Sequence, residues 1–451
     1  MLVTADRVFG GHLYVRNGKI AAISDDGTLP AREELDAAGL YVLPGMLDCH
    51  AHINDPGFTW REDLPHASEA AAVGGVTTLI DMPLQNTPPL TSADAFANKL
   101  AVFEGRSLVD YALWGGLVTD NAAELAGMEA AGAVGFKAFI APVSLGYSSV
   151  DMGLAREALF RIKAFGGLAG FHCEDHALIC AGEAKAKAGG GTRRAFLDSR
   201  PVVAEVIATA NVIELARETG ARVHICHVSH PRVAELVRRA QADGLSVTGE
   251  TCPHYLVFTE ENLLSCGTVF KCAPPLRTAE ARDGLWEYVL DGTLSCIGSD
   301  HSPSRPDEKD EAVHGVMGAW GGLSGLQSLV QVMFDQAVTR RGCSPSLLAR
   351  FASSAARVFG LDGRKGALGV GLDADAVLID PGRAWTITAH SLRYLNPFSA
   401  FEGLEGVGLP VCTVVRGKGG SPRGQCTGPV RARLFPAPQA LSASHPLPRQ
   451  R

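Results

Sequence analysis

From Pro44-Gly45 to about residue 300 the chain repeats one pattern, a brief apolar run ending in polar residues and then an Ala/Leu/Glu/Arg-rich segment of helical character. That alternation is the mark of parallel strands joined by crossover helices. The strand runs fall at 46–50, 77–82, 111–118, 135–140, 168–172, 223–227, 246–250 and 294–299. Eight strands over about 260 residues predict an α/β fold, a (β/α)8 TIM-type barrel, whose usual size is about 250 residues. A doubly wound open sheet is the alternative, but no Gly-x-Gly-x-x-Gly follows an early strand.

Both ends of the chain read as β-structure. Leu13-Tyr14-Val15 and Ile20-Ala21-Ala22-Ile23 flank Asn17-Gly18, which is hairpin chemistry. Beyond Gly363, residues 369–379 read as a turn into a strand and 412–418 as a later strand. Segments 1–45 and 364–426 are too small for cores of their own. They are expected to pair into one small β-sandwich-like domain beside a barrel spanning 46–363. The segment 427–451, interrupted by Pro429, Pro436, Pro438, Pro446 and Pro448, reads as a loosely structured tail.

With 451 residues, 46% of them hydrophobic and 20% charged, the chain can bury a large core. Lys+Arg 41 against Asp+Glu 48 leaves a net charge of −7 without a dense basic run, which argues against nucleic acid and anionic membranes as partners. The 11 cysteines form no Cys-x-x-Cys pair and sit mostly in apolar runs, as unpaired thiols do in a reducing compartment. The first residues lack a basic and apolar leader, and no apolar run approaches the ~18 residues of a membrane span. A soluble, cytoplasmic protein is expected.

In a (β/α)8 barrel the C-terminal strand ends converge on one mouth. Here those ends carry His50 and His52, Lys137, His172, His227 and Asp300. His50 and His52, two apart on an extended segment, can face one metal ion, although such a pair is as often bland. Lys137 is alone in the apolar run 133–140. It reads either as a snorkelling or ion-paired lysine or as one carbamylated by carbon dioxide and bridging two metals. His227 shares a face with Val223 and Ile225, whereas His224 points the other way and reads as structural. Imidazole and carboxylate ligands suit zinc, and also manganese, iron or cobalt.

Read together, Pro44-Gly45-Met46-Leu47-Asp48-Cys49-His50-Ala51-His52, Gly135-Phe136-Lys137, His224-Ile225-Cys226-His227-Val228-Ser229, Glu250-Thr251-Cys252-Pro253-His254-Tyr255, Pro274-Pro275-Leu276-Arg277 and Ser299-Asp300-His301-Ser302-Pro303 resemble the cyclic amidohydrolases of the allantoinase, dihydroorotase and hydantoinase group. The resemblance covers nearly the whole chain. It implies two divalent metal ions, one held by His50, His52 and Asp300, the other by His172 and His227, bridged by carboxylated Lys137. Asp300 would move the proton while the ring amide is opened by hydrolysis. Homotetramers or homodimers are implied as well.

Dihydroorotases of this group carry an arginine two residues after the His-x-His pair to grip a substrate carboxylate; the position here is Asn54. Asn54 suits a neutral ureide, and with Asp81-Met82-Pro83-Leu84 it resembles the allantoinase branch, which implies conversion of allantoin to allantoate. Arg61 is an alternative anion anchor, Asn86 stands where that branch has a different residue, and Ala273 and Gly322 lie in segments expected to line the pocket through their backbone. The tyrosine that dihydropyrimidinase-type hydantoinases place soon after the lysine is missing from the five residues after Lys137. Hydrolysis of another cyclic ureide stays open, as does a non-catalytic scaffold of the same fold. A mononuclear deaminase would lack Lys137.

Overall fold

The computed structural model describes residues 1–143 and 146–420. Eight strands form the barrel: β1 Met46–Ala51, β2 Val76–Asp81, β3 Asp110–Leu113 continued as Gly115–Gly116, β4 Phe136–Phe139, β5 Leu168–His172, β6 Arg222–Ile225, β7 Val247–Thr251 and β8 Cys296–Ile297. Each pairs in parallel with the next. The ring closes where Ala51 bridges His301 and the Ser299 N–H donates to the Asp48 carboxylate at 2.9 Å. All six residues of β1 are buried, as expected of strands covered on both faces.

Two strands depart from the sequence reading. The run 111–118 is interrupted at Trp114, whose ring is fully buried. A Cβ on Gly135 or Gly170 would lie 2.6 or 2.7 Å from that ring, so the two glycines make the space the indole fills. It meets Phe359 edge-on, centroids 5.2 Å apart, and Phe359 ends the helix Ser346–Val358. The run 294–299 yields only Cys296–Ile297 as strand. There the chain leaves the ladder for side-chain contacts: a Cβ on Gly298 would sit 2.8 Å from His50 Cβ, Ser299 bonds Asp48, and Asp300 is left-handed at φ 45°.

Helices begin where the sequence supplies caps. Asp63 accepts from the His66 N–H at the start of Leu64–Gly74, and Ser92 accepts from the Ala95 N–H at the start of Ala93–Phe103.

The two ends of the chain meet in one six-stranded sheet, ordered Lys418–Gly420, Glu405–Val415, Ala376–Thr386, Tyr41–Pro44, Leu2–Val3 and Val8–Phe9. A separate hairpin, His12–Arg16 with Lys19–Ser24, turns at Asn17-Gly18, both left-handed at φ 52° and 78° as a type I′ turn requires. A second small core, with Leu2, Ile20, Val42 and Leu378 buried in it, lies between hairpin and sheet. Residues 412–418 are not one strand, because Arg416-Gly417, at φ 48° and 74°, reverses the chain. The segment 427–451 lies outside the described residues. Buried Lys365 joins sheet to barrel by pairing with Asp375 and with Asp110 of β3, to which Arg416 adds a contact at 3.2 Å. Among the described residues no helix is long and apolar enough to cross a membrane.

Candidate active site

The strand ends bring His50, His52, Lys137, His172, His227 and Asp300 to one mouth. Asp300 Oδ1 lies 3.3 Å from His50 Nε2 and 3.2 Å from His52 Nε2. The three ligand atoms form a group able to hold a metal ion. A second pair stands beside it: His172 Nδ1 is 3.1 Å from His227 Nε2. The His50 and His227 rings, centroids 5.2 Å apart, join the two halves. Lys137 rises from β4 between them, fully buried, and its Nζ has no hydrogen-bond partner.

These donors suit divalent metal ions better than they suit one another. Burial pushes His50, His172 and His227 below the usual imidazole range, and the Lys137 charge lowers each further. Burial would raise Asp300, but His50, His52 and His227 outweigh it and hold the carboxyl below its ordinary range. An ammonium buried without a partner is costly, whereas a lysine converted to an anionic carbamate would find cations on both sides. The residues therefore fit a two-metal centre.

Carboxylates behind the ligands orient them. Glu174 accepts from His172 Nε2 at 2.7 Å, turning Nδ1 toward His227. Burial acts against Glu174, but Arg200 at 2.6 Å and His172 pull its carboxyl down to about 2. Glu250 of β7 takes His50 Nδ1, turning Nε2 toward Asp300. Neither glutamate was singled out from the sequence. Glu174 could have been, since it lies two residues beyond His172; Glu250, like Asp48 of β1, which burial raises to about 7, is an acidic residue buried in a barrel strand. His224 is fully buried, with Nδ1 2.8 Å from Thr248 Oγ1 and Nε2 3.2 Å from Glu250 Oε2.

Of the expected substrate contacts, Asn54 is buried with both amide atoms unpartnered. The Asn86 side chain is spent within the protein: Nδ2 donates to the carbonyls of Met82 and Leu84 and Oδ1 accepts from Lys99 at 2.6 Å. Arg61 is held in a fork by Glu308 and stacked on Trp320, 3.8 Å from the ring centroid, with Nη1 alone left over. Glu308 neutralises the charge that an anionic substrate would need. The Gly322 N–H donates to the Lys271 carbonyl at 3.0 Å, which sets Ala273 and Gly322 in adjoining segments. Leu323 accepts from Ser302 and bridges His301, so both segments flank Asp300. Tyr147 donates to the Lys137 carbonyl at 2.6 Å and is thereby committed to the backbone.

Residues 41–419 match the amidohydrolase family. Allantoinases from Rubrobacter xylanophilus and Escherichia coli are each 39% identical, the first over 90% of this chain and 89% of that protein, the second over 87% of each. Among solved structures, an L-hydantoinase (dihydropyrimidinase) from Arthrobacter aurescens superposes with a TM-score of 0.93 at 35% identity, covering 96% of this chain and 98% of that one. A dihydropyrimidinase from Brevibacillus agri gives 0.90 at 28% identity, with 98% of each covered. The chain belongs to the amidohydrolase family. Within that family it is a hydrolase acting on cyclic amides, built on a TIM barrel.

Proposed function

We propose that the chain opens the ring of a cyclic ureide by hydrolysis, with allantoin as substrate and allantoate as product. The observation that carries the reaction is the pair of imidazole half-sites about the partnerless Lys137. His50, His52 and Asp300 would hold one divalent ion, His172 and His227 the other, with carboxylated Lys137 between. When bound, the two ions supply Lewis acidity to the ring carbonyl and lower the pKa of water. Zinc suits this donor set, and manganese, iron or cobalt could replace it.

The protein's own groups do the rest. Glu174 and Glu250 keep the ligand imidazoles oriented. Asp300, a left-handed residue whose side chain is 13% exposed, would accept the proton released as water adds to the carbonyl carbon. It then returns that proton to the ring nitrogen as the C–N bond breaks, leaving a carboxylate and a free ureido nitrogen. Asn54, with an unpartnered donor and acceptor, suits a neutral, hydrogen-bond-rich ring, and the backbone about Ala273 and Gly322 would read the ring amide.

Hydantoin-type rings are the second reading, favoured by the likeness to the Arthrobacter aurescens L-hydantoinase; the backbone commitment of Tyr147 weighs against it. Turnover of allantoin, hydantoin, dihydrouracil and dihydroorotate by protein loaded with zinc or manganese and bicarbonate separates these. Preference for allantoin is expected. Preference for another ring refutes the substrate, and inactivity on all four leaves the scaffold reading. A homodimer or homotetramer is proposed on resemblance, and light scattering measures it.

A further inference from the structure

Three donors and the ring of His224 converge on the fully buried carboxylate of Glu250. Oε1 takes His50 Nδ1 and, at 3.3 Å, the backbone N–H of His227; Oε2 takes the Cys49 thiol at 2.9 Å and lies 3.2 Å from His224 Nε2. Two of these donors belong to opposite halves of the site. His50 stands with His52 and Asp300, whereas His227 stands with His172. The first contact places the His50 proton on Nδ1 and leaves the Nε2 lone pair facing the mouth. The second restrains a residue at φ 38°, a left-handed conformation that a non-glycine residue keeps only when its surroundings hold it there.

We propose that Glu250 is a positioning residue that ties the two half-sites together, so that the affinity of both metal ions depends on this one carboxylate. Glu174 is the contrast: it touches His172 alone and is anchored in turn by Arg200. The inference rests on the two-metal reading, and the experiment keeps the two apart.

Wild-type protein, Glu250→Gln, Glu250→Asp and Glu174→Gln are stripped of metal and reloaded with zinc and bicarbonate. Zinc per chain is measured by elemental analysis, and zinc release is followed with a colorimetric chelator. Glu250→Gln removes the negative charge that the four partners share and turns an N–H donor toward one pair of them, His50 with His227 or Cys49 with His224. Both zinc ions should therefore weaken together by about 10–100-fold, while in Glu174→Gln one ion weakens and the other does not. Should circular dichroism show Glu250→Gln unfolded, Glu250→Asp, which keeps the charge but is one methylene shorter, should give the same paired loss. A Glu250 variant that folds and releases both ions at the wild-type rate, or loses only one, overturns the inference. Wild-type protein that binds fewer than two zinc ions overturns the two-metal reading instead.

Discussion

Lys99 is fully buried beneath the loop that follows β1, and replacing it by methionine tests how that loop is held. Its ammonium pairs with the buried carboxylate of Asp81 and donates to Asn86 Oδ1 at 2.6 Å and to the Ile53 carbonyl at 3.1 Å. Asp81 in turn accepts the Ile53 N–H at 2.6 Å. Both polar groups of the peptide between His52 and Asn54 are thus clamped from below. Methionine fills the space of the lysine stem but leaves a carboxylate without its cation, a loss of about 3–5 kcal/mol. Burial already raises Asp81, and losing Lys99 raises it further, so proton uptake by Asp81 partly relieves the variant at low pH. The deficit should consequently be larger at pH 8 than at pH 6. Urea unfolding followed by tryptophan fluorescence at the two pH values measures it. The double variant Asp81→Asn, Lys99→Met removes the stranded charge and should recover part of the loss. A deficit under about 1 kcal/mol at pH 8, or a double variant no more stable than Lys99→Met, would refute the clamp.

Lys137→Ala should abolish binuclear metal binding, read as zinc per chain by elemental analysis; unchanged stoichiometry would remove Lys137 from the site. Gly170→Ala places a Cβ 2.7 Å from the Trp114 ring and should cost about 1–3 kcal/mol in urea unfolding, whereas an unchanged midpoint would show that the indole has room to move. In metal-free protein, Glu174, lowered from 4.5 to about 2, contributes about 3 kcal/mol that is fully present above pH 4.5 and is lost as the pH falls toward 2. Glu174→Gln should flatten the pH dependence of stability across that window, and equal slopes for the two proteins would contradict the assignment.

The barrel strands were legible because each is an apolar run bounded by polar residues, and that signal survives without knowledge of neighbours. Alternation along β6 does not extend to His227, because the strand ends at Ile225 and His227 is left-handed at φ 38°. What escaped depends on partners elsewhere in the chain. Asn86 and Arg61 have the chemistry to read a substrate, but Lys99 and Glu308 occupy them, and both partners are remote in sequence. Glu250 was unremarkable within its motif until β1 and β6 brought His50, Cys49 and His227 onto it. The early end of β8 follows from the close approach of Gly298 to His50, again a contact across the barrel.

The strand Tyr41–Pro44 runs into β1 with only Gly45 between, and its antiparallel neighbour is Ala376–Thr386, where Val42 faces Leu378. During synthesis the amino-terminal strand therefore emerges early, yet the backbone groups of its outer edge have no mate until nearly the whole barrel has been made. Closing that distance is a slow, non-local event, and an open strand edge invites pairing with another chain meanwhile. Completion of the small sheet must thus wait until residue 376 and its successors exist, and shortening the chain before residue 376 should leave a barrel exposing a sticky edge beside its first ligand strand.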